Sequence, residues 1–292
     1  MAASDIRPDK AEFSRLASRH RLVPVWVEKS NHTLSPLDAY ERLNGPLPSQ
    51  GSFLLDGEPA GPDRGRYAYV GYGTPEVIRL GPAEPAGSTN PAKVLRTRLR
   101  EMDIPHIPDL PPFTSGIAGY VAYEAIRYFE PRVAHIQQDP NGCPEAAFII
   151  PHDLIVFDRN RSSIYIVAIA NVASLGSESA YYNAHERISH AIDKLFCLPV
   201  QPSPVRPEIT TNASAKVTAN KVSRRTYINM VHTARRAIID GELIQAVLSQ
   251  RIVRPTSATP LALYRALASL NPSPYMYLFD FGDFSLIGAS PE

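Results

Sequence analysis

Residues 199–221, PVQPSPVRPEITTNASAKVTANK, set the first limit on how this chain can fold. The segment is rich in Pro, Ser, Thr and Asn and poor in aromatic residues. Such a stretch cannot bury enough apolar surface to offset its ordering entropy. It reads as a linker or long exposed loop. It divides the 292 residues into a first region, 10–198, and a second region, 222–292.

The chain as a whole has the composition of a soluble globular protein. Hydrophobic residues make up 44% and charged residues 20%, so a large core is possible without metal or disulfide staples. The net charge of +1 points to neither a nucleic-acid surface nor an acidic lipid surface. Cys143 and Cys197 are too far apart in sequence for a metal-ligand spacing and read as reduced thiols. The first residues lack an apolar signal core, and Asp5, Asp9 and Glu12 argue against a transit peptide. The longest apolar runs, such as IYIVAIA, are strand-length and too short to span a bilayer. A cytoplasmic protein that binds neither membrane nor nucleic acid is expected. The sequons at Asn31 and Asn212 then read as chance matches.

Periodicity predicts an α+β chain rich in antiparallel sheet. In the first region, a helix is expected over Phe13 to His20. Another follows Ser35 as N-cap and Pro36 at the first helical position, and a third runs from Ser177 to Leu195. Strands are expected at 22–27, 52–55, 66–72, 116–122, 146–150, 154–157 and 163–168. The second region predicts a helix from Ser223 to Asp240 with Gly241 just past its end, and then a strand from Leu243 to Val253. A helix from Pro260 to Leu270 comes next, and last a hairpin of Tyr275–Asp280 with Phe284–Ala289. Tyr120, Tyr123, Arg127 and Tyr128 read as packing residues. His152 reads as the entry to a strand, with no further ligand at a zinc-like spacing.

Three strings in the second region carry a resemblance: GELIQAVLSQR (Gly241–Arg251), LYRALASLNPSPYM (Leu263–Met276) and GDFSLIGASPE (Gly282–Glu292). They resemble the start of the chorismate-binding domain shared by anthranilate, aminodeoxychorismate, isochorismate and salicylate synthases. SFLLDG, GRYAYVGYG, SGIAGYVAYEAIRYFE and HDLIVFD, in the first region, are similar to the N-terminal domain of anthranilate synthase large subunits. The resemblance implies an N-terminal domain built on antiparallel sheet, followed by the incomplete start of an α/β sandwich. It also implies conversion of chorismate and ammonia to anthranilate, with Mg²⁺ as cofactor. The implied partners are a glutamine amidotransferase that supplies the ammonia and L-tryptophan as feedback inhibitor. The magnesium ligands and other catalytic groups of the family would lie beyond Glu292, so no metal site is expected within this chain, and the chain alone is expected to be inactive. The rival readings are an aminodeoxychorismate synthase component and a non-catalytic docking or regulatory module.

The resemblance assigns roles to seven residues. Glu292 would be the general acid that protonates the departing C4 hydroxyl, a poor leaving group when unprotonated. By itself it reads as a solvated surface glutamate. Gln245 would stand where water-adding relatives carry a lysine base. Ammonia needs no such base, so a neutral side chain fits amination. Its bland alternative is a polar residue on a solvent-facing strand. Asp56, Gly57, Pro274, Tyr275 and Met276 would form the tryptophan pocket. Tyr275 and Met276 read equally well as core packing, and Asp56-Gly57 as a tight turn. Asp56 and Gly57 replace the Glu and Ser of the resembling motif, which predicts weak inhibition and tighter inhibition on restoring serine.

Overall fold

The computed structural model describes residues 5–30, 33–45, 51–57, 65–133, 142–197 and 222–292. The 199–221 segment and both sequon asparagines lie outside them. The chain forms two compact units, residues 1–201 with 259–292, and residues 202–258.

Among the described residues the larger unit contains ten strands, numbered in chain order. Seven form one antiparallel sheet: β1 (Leu22–Ser30), β2 (Ser52–Asp56), β3 (Tyr67–Tyr72), β7 (Asp153–Asp158), β8 (Ser163–Asn171), β9 (Tyr275–Asp280) and β10 (Ser285–Ser290). Their spatial order is β1-β8-β7-β3-β2-β9-β10. The other three, β4 (Glu76–Leu80), β5 (Ala118–Val121) and β6 (Ala146–Ile150), form a smaller sheet in the order β4-β6-β5.

Alternation along the strands sends side chains to two different cores. On one face Val23, Val25, Val27, Leu54, Val70 and Leu278 pack against helices. These are α1 (Lys10–Ala17), α2 (Pro36–Asn44), α5 (Ser177–Ile192) and α7 (Pro260–Leu270), which contribute Phe13, Tyr40, Ile188 and Tyr264. On the other face Trp26, Phe53, Val156 and Phe279 meet Ala118, Ala147 and Ile149 of the small sheet. β8 is buried along nearly its whole length, which explains its unbroken apolar run. Ser35 caps α2 by accepting the Asp38 N–H at 3.1 Å, a contact worth about 1 kcal/mol.

The expected boundary at residue 222 does not separate the compact units. Strand β2 would otherwise present an unpaired edge, and β9 covers it with a register running from Ser52↔Asp280 to Asp56↔Met276. Helix α7 buries Leu261 and Tyr264 in the helix-side core. The hairpin thus extends the sheet of the first region instead of opening a separate domain.

In the smaller unit, α6 (Arg224–Ile239) is capped by Ser223, and Gly241 takes the left-handed φ of +78° expected past a helix end. The strand expected over 243–253 is not formed: residues 243–252 are irregular. Ile244 is 99% and Val247 85% exposed, and among the described residues no neighbouring strand offers residues 243–252 a hydrogen-bond ladder. Several elements escaped the sequence reading, among them β4, α3 (Pro91–Glu101), the short helix α4 (Val172–Leu175) and the 3-10 turns Tyr123–Tyr128 and Pro131–Val133. Strand β4 is only five residues long, and α3 has a largely charged surface with a single buried residue, Pro91.

Candidate functional site

The cavity between the sheets is built by three strands that put aromatic rings on one face. Cross-strand pairs Leu55↔Tyr69, Leu55↔Tyr277 and Tyr277↔Gly288 align one row of side chains across β3, β2, β9 and β10. Phe53, paired with Gly71 and Phe279, begins the next row. Glycine makes these rows possible. A Cβ at Gly71 would overlap the Phe53 ring, and one at Gly288 would overlap the Tyr277 ring. From the small sheet side, Phe113, Ala118 and Tyr120 close a cavity of about 690 Å³. Tyr69 meets Phe113 edge-on at 5.4 Å, and Tyr120 meets Phe281 edge-on at 5.8 Å.

All five residues expected in a ligand pocket line this one cavity. They do not contribute alike. Met276 is 5% exposed and belongs to the helix-side core, as its alternation with Tyr275 and Tyr277 requires. Tyr275, by contrast, is 45% exposed at the rim. Gly57 lies against Pro274 so closely that a Cβ would overlap the Pro274 carbonyl oxygen.

Asp56 is held in place by two donors. Its Oδ1 accepts the Gly57 N–H at 2.7 Å and a bond from the Arg159 guanidinium. Arg159 also donates to the Gly65 carbonyl at 2.5 Å. Asp56 pairs with Met276, so its carboxylate stands on the helix-side face of the sheet, beside Arg159 and Tyr264. Nearby, burial pushes the Tyr264 phenol above its ordinary range; the Asp56 carboxylate adds to the rise and Arg159 opposes it.

The two expected catalytic residues are placed differently. Glu292 follows β10 directly and is exposed, with its N–H donating to Ser290 Oγ at 3.2 Å. Gln245 lies in the smaller unit, exposed and in irregular chain instead of the expected strand. Tyr123, expected as packing, is 78% exposed. Neither cysteine forms a disulfide. Among the described residues no three His, Cys, Asp or Glu side chains are grouped to hold a metal ion, so this set does not fit Mg²⁺. No described helix is long and apolar enough to cross a membrane.

The sequence reading missed Tyr67, Tyr69, Phe113 and Tyr277 as cavity residues. The aromatic residues at alternate positions in YAYVGY and YMYLFD were the available signal, because such spacing puts them on one sheet face.

The sequence model described as chorismate binding enzyme matches residues 50–292. The chain belongs to this family. Relatives of the chain include anthranilate synthase component 1 of Saccharomyces cerevisiae, 32% identical over 100% of this chain and 58% of the yeast protein. The Streptomyces coelicolor protein of the same name is 34% identical over 100% of this chain and 55% of its own length. The crystal structure of anthranilate synthase component I from Streptococcus pneumoniae aligns with a TM-score of 0.58 and 27% identity, over 89% of this chain and 56% of that one. The chain thus spans somewhat more than half the length of the relatives it matches.

Proposed function

We propose that this chain is part of an anthranilate synthase large subunit, and that the cavity between its sheets is the site where L-tryptophan regulates it. The observation that carries the reading is the meeting of Asp56 and Gly57 with Pro274, Tyr275 and Met276 around one cavity of amino-acid size. Segments more than 200 residues apart in sequence supply its two sides.

The aromatic floor suits an indole ring, which stacks or meets ring edges favourably. Asp56 ends β2 beside the cavity, where the Gly57 N–H and Arg159 hold its carboxylate in place. In the overall reaction, ammonia from a glutamine amidotransferase partner adds at C2 of chorismate, the C4 hydroxyl departs, and pyruvate is eliminated. Exposed Glu292 has the chemistry to protonate that leaving hydroxyl. Gln245, being neutral, would not act as a base toward water, which favours amination over hydration.

Calorimetric titration of L-tryptophan into the 292-residue chain tests the reading. A single saturable site with Kd below about 1 mM, or about 4 kcal/mol of binding, is expected. No heat of binding at that level would overturn it.

A further inference from the structure

We infer that Tyr69 sets the ring specificity of the cavity: its phenol oxygen accepts a hydrogen bond from the ring N–H of an aromatic amino acid, so an indole is held in preference to a phenyl ring. This rests on the aromatic amino-acid reading above and adds the residue that discriminates among such ligands.

Tyr69 occupies the middle of the cavity floor. It pairs with Leu55 on one side and Val156 on the other, and Phe113 stands edge-on to it at 5.4 Å. Those neighbours are apolar, and among the described residues none offers its hydroxyl a hydrogen bond. Tyr69 is half-buried and its hydroxyl is not sealed from solvent, so a ligand N–H can take the place of water there. Burial pushes the Tyr69 phenol up to about 12, so it remains neutral at physiological pH, with lone pairs free to accept.

The neighbouring phenols are placed less favourably. The Tyr67 ring lies beneath the Arg66 guanidinium, 4.7 Å from its centroid. The Tyr120 hydroxyl is already committed to the Pro144 carbonyl at 2.9 Å. Tyr277 is pressed onto Gly288 of β10, where its hydroxyl would overlap any Cβ. A site that hydrogen-bonds a ligand group discriminates against an analogue lacking it, because the protein atom is then left unpaired.

The test compares L-tryptophan, 1-methyl-L-tryptophan and L-phenylalanine by calorimetry on the 292-residue chain and on its Tyr69→Phe and Tyr67→Phe variants. The wild-type chain should bind tryptophan about 2–10-fold more tightly than 1-methyltryptophan, the range of one neutral hydrogen bond. That preference should vanish in Tyr69→Phe and persist in Tyr67→Phe. The ¹⁵N–H proton of bound, labelled indole should shift upfield in Tyr69→Phe, a change that a merely structural role would not produce. Equal wild-type affinities for tryptophan and its methyl analogue would overturn the inference and leave the aromatic amino-acid reading standing. So would an unchanged preference in Tyr69→Phe. If none of the three ligands bound the wild-type chain, both would fall. Should Tyr69→Phe not fold, the wild-type comparison of the two tryptophans still decides.

Discussion

The Cα of Gly57 rests against the carbonyl oxygen of Pro274, which leaves no room for a Cβ. This contact joins the end of β2 to the turn before β9 and reverses the expectation drawn from sequence. A serine at 57 would supply a hydroxyl only by displacing backbone, and overpacking of this kind costs about 1–3 kcal/mol. Gly57→Ser should therefore lower stability to urea by that amount and weaken tryptophan binding. A fully stable variant that binds tryptophan more tightly would show that the β2 end can rearrange.

Arg159 and Asp56 form the next expectation. Their side chains are 29% and 21% exposed, so solvent screens the pair only in part. Replacing Arg159 by Gln should cost about 1 kcal/mol or more, since a charge-assisted bond to a partly buried carboxylate is lost. A double-mutant cycle with Asp56→Asn should give a favourable coupling of at least about 0.5 kcal/mol. Strict additivity would mean the two residues do not interact in solution.

Much of the local structure was legible in sequence because local chemistry decides it. Ser35-Pro36 starts α2, Ser223 caps α6, and the run from Pro260 to Leu270 is helical as the spacing predicts. The partnership of β2 with β9 was not legible, because period-2 alternation tells which face a residue takes and says nothing of which strand lies beside it. For the same reason Asp56, Gly57 and the Pro274–Met276 triplet could be named through resemblance, while Phe113 could not. Phe113 joins the cavity from an irregular segment before β5, with no periodic signal around it.

Asp158 gives a pH dependence whose sign can be worked out. Burial raises its carboxyl, but the Arg66 guanidinium, with bonds of 3.1 and 2.7 Å, and the backbone N–H groups of Arg161 and Asn160 outweigh that and leave it below the usual range. A carboxylate depressed in the folded state contributes stability above its unfolded pKa, near 3.9, and loses it as pH falls through the folded value. Asp158→Asn should therefore be less stable than wild type at pH 7, by about 1–3 kcal/mol. The gap should begin to close only below about pH 3.9. Denaturation curves collected from pH 7 to pH 2.5 check this. A gap that is constant across that range would assign the loss to neutral hydrogen bonding instead of charge.

Limited proteolysis tests the membership of the larger unit. Residues 243–252 are irregular and carry Ile244 and Val247 almost fully exposed, so a protease reaches them without unfolding a sheet. Cleavage there leaves α7, β9 and β10 on the C-terminal fragment. That fragment should not dissociate, because β9 pairs with β2 through five residues, Leu278 and Met276 lie in the helix-side core, and Arg79 grips the β9–β10 turn through Asp283 at 2.9 Å and the Phe281 carbonyl at 2.5 Å. Size-exclusion chromatography of the nicked protein should show the two fragments co-eluting in native buffer and separating in about 6 M urea, where a typical denaturant slope multiplied by that concentration exceeds the stability of a domain this size. Separation in native buffer would place residues 259–292 outside the sheet and restore the boundary expected near residue 222.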